Sequence, residues 1–248
     1  VSRITLDQTN VLVVIPAYNE AETVGSIVRE ICTLGFTTLV ICDGSSDITS
    51  EVAHNAGAKT LKLAYNLGVG GALRAGFLFA CREGYEAIVQ IDADGQHPPR
   101  HISDLVEEAN RSSSDFIIGS RFLGPSTLMH ISRVRRYMMR VLAASASRAA
   151  NTQITDSTSG FRLIRRPLLD QFSVSFASNY LGDTYEAIVA AGRGNYSISE
   201  IPVEIVHRAF GKSSASRLQS VWLVIKVLIV VLLGIHTKIA NKPEGEHQ

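Results

Sequence analysis

VLVVIPAYNE, residues 11–20, carries the first decision about the fold. Val11 to Ile15 are all aliphatic, with no polar residue alternating between them. Such a run fits a strand buried on both faces. Pro16 is expected to stop it. Asn19 is expected to cap a helix from Glu20 to Leu34, in which Val24, Ile27, Val28 and Ile31 recur at helical spacing and Gly35 marks the end. The pattern then repeats. Thr38 to Cys42 reads as a second buried strand, and Ser50 to Ala56 as a short helix before Gly57. Thr60 to Leu63 reads as a strand and Ala72 to Arg82 as a helix. Ala87 to Ile91 and Asp115 to Gly119 read as strands on either side of a helix from Ile102 to Ala109. Four alternations of strand and helix in 120 residues define an α/β protein with a mostly parallel sheet flanked by helices.

In such sheets ligands bind beyond the carboxyl ends of the strands. The segments following the strands are therefore the place to look for chemistry: PAYNE (16–20), DGSSD (43–47) and DADGQ (92–96). Asp92 and Asp94 would point to opposite sides of a regular strand, and Gly95 lets the chain turn so that both serve one site. Oxygen ligands of this kind suit Mg²⁺ or Mn²⁺, with Gln96 adding a carbonyl oxygen. The other reading is that the two aspartates cap their own turn. Asp43 likewise either accepts hydrogen bonds from a nucleobase or ribose, or closes an Asx turn. NLGVGGALRAG (66–76) is glycine-rich and opens a helix, where backbone donors meet anions. Leu73 stands where a dinucleotide fingerprint needs its third glycine.

The second half is less regular. Residues 124–136 read as a basic loop, followed by a helix from Tyr137 to Ala150. DSTSGFR (156–162) is a polar turn, a further helix starts near Asp183, and Ile198 to Val206 alternates like an edge strand. Residues 221–235, VWLVIKVLIVVLLGI, are apolar except for Lys226. Fifteen residues fall short of the roughly 20 that span a bilayer. An interfacial helix, a core helix and an oligomer interface all fit them. The expected organisation is a catalytic domain over 1–215, an apolar helix over 216–240 and a disordered tail over 241–248.

Of the 248 residues, 46% are apolar and 19% charged, so a disordered chain is excluded. Lys and Arg number 24 against 23 Asp and Glu, so no overall field draws the chain to nucleic acid. Cys32, Cys42 and Cys81 have no metal-ligand spacing and read as reduced thiols of a cytoplasmic protein. No signal-peptide pattern opens the sequence.

The ordered set PAYNEA (16–21), CDGSSD (42–47), NLGVGGALRAG (66–76), DADGQHPP (92–99), GSRF (119–122) and DSTSGFR (156–162) resembles the inverting GT-A glycosyltransferases of family 2. Within them it is most similar to the dolichol-phosphate mannose synthase and polyprenyl-phosphate glycosyltransferase group. The resemblance covers residues 10–215 and implies a Rossmann-like GT-A fold. It implies a nucleotide-sugar donor bound by Pro16, Ala17, Tyr18, Glu20, Asp43, Gly68, Gly71, Asp92 and Ala93. It implies Mg²⁺ or Mn²⁺ on Asp92, Asp94 and Gln96, and Arg121 and Arg208 reaching toward phosphates. Cys42 replaces a common first aspartate, and Ser214 stands where lysine is frequent.

A lipid monophosphate is largely ionised at neutral pH, with a second pKa of about 6, and needs cationic positioning rather than a base. SRVRRYMMR (132–140) offers Arg133, Arg135 and Arg136 among apolar residues, which suits a phosphate on a polyprenyl chain. The same arginines also suit an anionic membrane surface or a solvated face. The expected enzyme is thus a peripheral or monotopic protein on the cytoplasmic face of a membrane. The alternatives are an enzyme of the same fold acting on a soluble or polysaccharide hydroxyl with Asp183 as base, and a nucleotide-sugar-binding protein without turnover.

Overall fold

The computed structural model of the chain describes residues 3–124, 133–176, 183–206 and 239–243, with the side chains of 133–138 and 183 outside that description. Arg208 and the apolar run at 221–235 therefore lie outside the described residues. Arg133, Arg135, Arg136 and Asp183 are placed by their backbone alone.

Among the described residues, seven strands form one sheet in the order β3-β2-β1-β4-β6-β5-β7. They are β1 (Val11–Ala17), β2 (Thr37–Asp43), β3 (Lys59–Leu63), β4 (Ala87–Gln90), β5 (Phe116–Ser120), β6 (Arg162–Arg165) and β7 (Ile198–Pro202). Only β6 runs against the others. It pairs antiparallel with β4 and β5, whereas β7 pairs parallel with β5. Among the described residues, seven helices accompany them: α1 (Val24–Thr33), α2 (Thr49–Asn55), α3 (Gly68–Arg82), α4 (His101–Ser112), α5 (Arg133–Ala150), α6 (Leu168–Ser175) and α7 (Asp183–Arg193).

The aliphatic runs are explained by two cores, one on each face. Leu12, Val14, Leu39, Ile41, Ile88, Phe116 and Ile164 pack with α3, α5, α6 and α7. Their neighbours Val11, Val13, Ile15, Val40, Val89, Ile117 and Leu163 pack with α1 and α4. A strand covered on both sides has no exposed position to mark with a polar residue.

Several boundaries differ from the expectations. β1 continues through Pro16 to Ala17, pairing Pro16 with Ile41 of β2. Its ladder with β4 has already ended at Val14, so a residue without an N–H is tolerated there. Asn19 caps no helix. It takes a left-handed turn with φ 54°, and α1 starts only at Val24, after a turn in which Glu20 O accepts Val24 N–H. The glycine-rich segment is the first turns of α3 itself rather than a loop before it. The basic run Arg133–Arg136 belongs to the first turn of α5, not to a loop.

β6 and α6 had no counterpart in the sequence reading. RLIR looks too polar for a central strand, yet Arg162 and Arg165 are both buried. Arg165 donates to Ala109 O at the end of α4, and Arg166 to Cys81 O and Tyr85 O at the end of α3. Guanidinium groups thus reach carbonyls at and just beyond helix C-termini, where intrahelical donors run out. The expected disordered tail is docked at its start: Lys242 N–H donates to Gly194 O, and its Nζ lies 2.8 Å from buried Asp115. Among the described residues, no helix is long and apolar enough to cross a membrane.

Candidate active site

The carboxyl edge of the sheet opens into a cavity of about 510 Å³ between the ends of β1, β2 and β4 and the start of α3. Pro16, Ala17, Tyr18 and Glu20 come from β1 and the turn after it, Asp43 from β2, and Asp92, Ala93 and Asp94 from the turn after β4. Asn66, Gly68, Val69 and Ala72 complete the wall from α3 and the residue pair before it. Its size is that of a small-molecule or cofactor site.

The loops are laced to one another. Asn19 N–H donates to Ser45 Oγ, and Asn19 Oδ1 accepts Ser46 N–H at 2.9 Å. Asp47 accepts from Ala21 N and Thr49 N. Thr23 Oγ1 donates to Ala93 O at 2.7 Å, which fastens the turn after β4 to the start of α1. Gly44 sits at φ +69° with the Tyr65–Asn66 backbone so close that a Cβ would stand 2.6 Å from Asn66 N.

Asp43 is buried, and its Oδ1 accepts Leu67 N–H at 2.7 Å, which ties the end of β2 to the N-terminus of α3. Asp94 Oδ1 accepts Gln96 N–H at 3.0 Å in an Asx turn, with Gly95 at φ +73°. Asp94 thus closes its own turn, whereas Asp43 closes none and instead reaches across to the start of α3; in each case the bond engages one of two oxygens. At the start of α3, Leu67 N–H is held by Asp43 and Gly68 N–H by Asn66 Oδ1 at 3.0 Å, and the first turn carries no acidic side chain of its own.

Three expected residues stand outside the wall. Gly71 lies against Leu67, where a Cβ would stand 2.5 Å from that residue's Cβ. Gln96 is fixed through its backbone, its O accepting Val206 N–H. Arg121 is turned toward Asp156: Nε to Oδ2 is 2.6 Å and Nη2 to Oδ1 is 2.8 Å, and Thr158 Oγ1 also accepts from Nη2. Its backbone N–H donates to Asp156 as well. The reason is charge pairing, since a guanidinium this buried requires a carboxylate beside it.

The electrostatics of this corner follow from burial and pairing. Burial works against the Asp156 carboxylate, but hydrogen bonds and charge from Arg121 outweigh it and hold it below the usual range. Burial likewise opposes the Arg121 cation, and Asp156 outweighs it, so its pKa stands above the ordinary value. Glu200 of β7 accepts from Thr155 N, Thr155 Oγ1 and Asp156 N at 2.7–2.9 Å, and burial pushes its pKa up. His97 is buried and stacked on Phe161 with centroids 5.2 Å apart. Burial, then the Arg121 charge, lowers its pKa to about 4, so it is neutral at pH 7.

The residues present fit a hard divalent cation. Asp92 and Asp94 offer carboxylate oxygens, and the Asp92 carboxylate lies over Gly160, in space a Cβ would fill. Among the described residues no group of three or more His, Cys, Asp and Glu converges. Two carboxylates suit an ion that keeps waters and takes its other ligands from substrate phosphates. Asp156, Glu200, Gly160 and Thr23 join the site through tertiary contacts that local spacing does not reveal. Asp156 and Gly160 at least lay within a singled-out motif, DSTSGFR.

A nearly parallel sheet with a cavity at its carboxyl edge, lined by acids from the turns after β1 and β4 and from the end of β2, has its pocket where α/β enzymes bind their ligands. The chain belongs to the glycosyl transferase family 2, whose profile matches residues 12–172. It is 30% identical over 226 residues to the polyprenol monophosphomannose synthase of Mycolicibacterium smegmatis, covering 83% of this chain and 80% of that one. It is 23% identical over 242 residues to the UDP-N-acetylglucosamine–dolichyl-phosphate N-acetylglucosaminyltransferase of Methanococcus voltae, covering 90% and 96%. Among solved structures it is similar to glucosyl-3-phosphoglycerate synthase from Mycobacterium tuberculosis in complex with Mn²⁺, UDP-glucose and phosphoglyceric acid. That match has a TM-score of 0.68 at 22% identity over 91% of this chain and 79% of that one. The fold is thus the GT-A fold, and the protein is a glycosyltransferase.

Proposed function

We propose that the enzyme moves a sugar, with inversion, from a UDP-sugar or GDP-mannose to the phosphate of a polyprenyl phosphate, at a membrane surface. The observation that carries this reading is the cavity where Asp43, Asp92 and Asp94 meet the start of α3. The nucleoside would lie against Pro16, Ala17, Tyr18 and Asp43. Its diphosphate would lie between the α3 N-terminus and the turn after β4. Asp92 and Asp94 would hold Mg²⁺ or Mn²⁺, with Gln96 near them on the same turn; such an ion neutralises charge developing on the leaving diphosphate. A phosphate oxygen of the acceptor forms the bond to the anomeric carbon as the bond to the diphosphate breaks on the opposite face. No base is needed, because the attacking oxygen is already ionised. Arg133, Arg135 and Arg136, gathered in the first turn of α5, would steer that phosphate. Two relatives named for transfer to a polyprenyl or dolichyl phosphate support this choice of acceptor.

The test is calorimetric titration with UDP and with GDP, each with and without Mn²⁺, followed by transfer assays on polyprenyl phosphate and on free sugars. Metal-dependent binding of one nucleotide, and transfer to the lipid alone, are expected. A folded protein that binds neither nucleotide would refute the reading.

A further inference from the structure

We infer that Gly160 is a positioning residue for Asp92: its missing side chain is the seat in which the carboxylate rests. The inference builds on the metal reading of Asp92 and Asp94 given above. A Cβ at residue 160 would stand 2.5 Å from Asp92 Oδ2 and 3.1 Å from both Cγ and Oδ1. No real Cβ contact is that short, and all three nearest atoms belong to the one carboxylate. The backbone of Gly160 lies in a conformation open to any residue, so the requirement for glycine is space and not φ.

Neither side can withdraw. The turn carrying Gly160 is anchored on both flanks. Asp156 is gripped by Arg121, and the Asp156 backbone N–H by Glu200. Ser159 O accepts Arg162 Nη2, and Phe161 O accepts Gly119 N–H at 2.9 Å. Phe161 itself is buried under His97. On the opposite side, Ile91 N–H donates to Val14 O and Ala93 O is held by Thr23. The backbone of Asp92 is therefore fixed before and after it. The atoms that a Cβ at 160 would meet are the far end of the flexible Asp92 side chain, the part that can give way. An added methyl group at 160 would displace the carboxylate while leaving the fold in place. A ligand held in the wrong rotamer weakens metal binding by about 10–100-fold, the range seen when supporting contacts around a metal are lost.

The experiment compares the wild type with Gly160→Ala for binding of UDP or GDP, whichever the wild type takes, over a Mn²⁺ titration and in chelator. The variant is expected to melt within a few degrees of the wild type and to keep its metal-free nucleotide affinity. Its half-saturating Mn²⁺ concentration should rise at least about tenfold. An unchanged half-saturation overturns the inference, as does an equal loss of metal-free affinity, which would mean general distortion. If Gly160→Ala does not fold, the double variant Asp92→Ala/Gly160→Ala decides. With the carboxylate gone it should fold, and failure would show that the Cβ meets something else. A wild type without metal-dependent nucleotide binding would instead overturn the function proposed above, and this inference with it.

Discussion

Asp156→Asn tests how the second half of the site is held. The substitution keeps the size of a side chain that is 0% exposed, beside an Arg121 side chain that is 20% exposed. It removes the charge that two guanidinium nitrogens share at 2.6 and 2.8 Å. Breaking a buried ion pair on one side leaves the other charge uncompensated, at about 3–5 kcal/mol. For a domain of this size that is roughly 6–20 °C in Tm, at about 2–4 °C per kcal/mol. The pH dependence supplies an internal check. Asp156 has a folded pKa below its unfolded value of 3.8. Its contribution is therefore fully present above the unfolded value and is lost as pH falls through the folded one. Wild type and variant should differ most at neutral pH and converge in acid. Chemical denaturation at several pH values measures both effects. A variant within about 1 kcal/mol of wild type at pH 7, or a difference that persists below the folded pKa, would refute the pairing as a stabilising element.

Asp94→Asn should leave the fold intact, because the asparagine Oδ1 still accepts Gln96 N–H, and should abolish metal-dependent nucleotide binding by calorimetry. Gly119→Ala should cost about 1–3 kcal/mol by overpacking, since its Cβ would stand 2.6 Å from Phe161 and 3.0 Å from Val203; thermal melting measures it. Lys242→Met removes one partner of Asp115 while Arg3 and Ser197 still hold that carboxylate, so the loss should stay below the roughly 3–5 kcal/mol of a fully broken buried pair. Arg135→Ala with Arg136→Ala should weaken turnover of a polyprenyl phosphate more than donor binding; equal losses in the two assays would count against an acceptor role.

Local pattern sufficed where the chain is buried by neighbours of its own kind. β1, β2, β4 and β5 are legible because a parallel strand covered on both faces is an unbroken aliphatic run. RLIR is not, because Arg165 is buried for the sake of carbonyls at Ala109 and Ile4, contacts made 56 and 161 residues away. The same division runs through the site. Asp43, Asp92 and Asp94 stand out because they follow strands. The Arg121–Asp156 pair spans 35 residues and the Glu200 bonds to Thr155 and Asp156 span 44–45, distances at which spacing carries no signal.

A hydrogen bond within the protein and the proposed ligand role need not exclude one another in a strand-end aspartate. A carboxylate has two oxygens and about four lone-pair sites. In Asp43 one oxygen holds Leu67 N–H, and in Asp94 one holds Gln96 N–H. Those bonds fix the rotamer, and a fixed rotamer is what a binding site needs from its groups. In the binding role proposed for these residues, the bond would thus be the means of aiming the remaining oxygen. For Asp92 the close approach of Gly160 adds a steric limit on where the carboxylate can sit. The consequence is unequal tolerance. An amide at 43 or 94 preserves the aiming bond and loses only the charge, whereas a single methyl at 160 preserves every charge and spoils the aim.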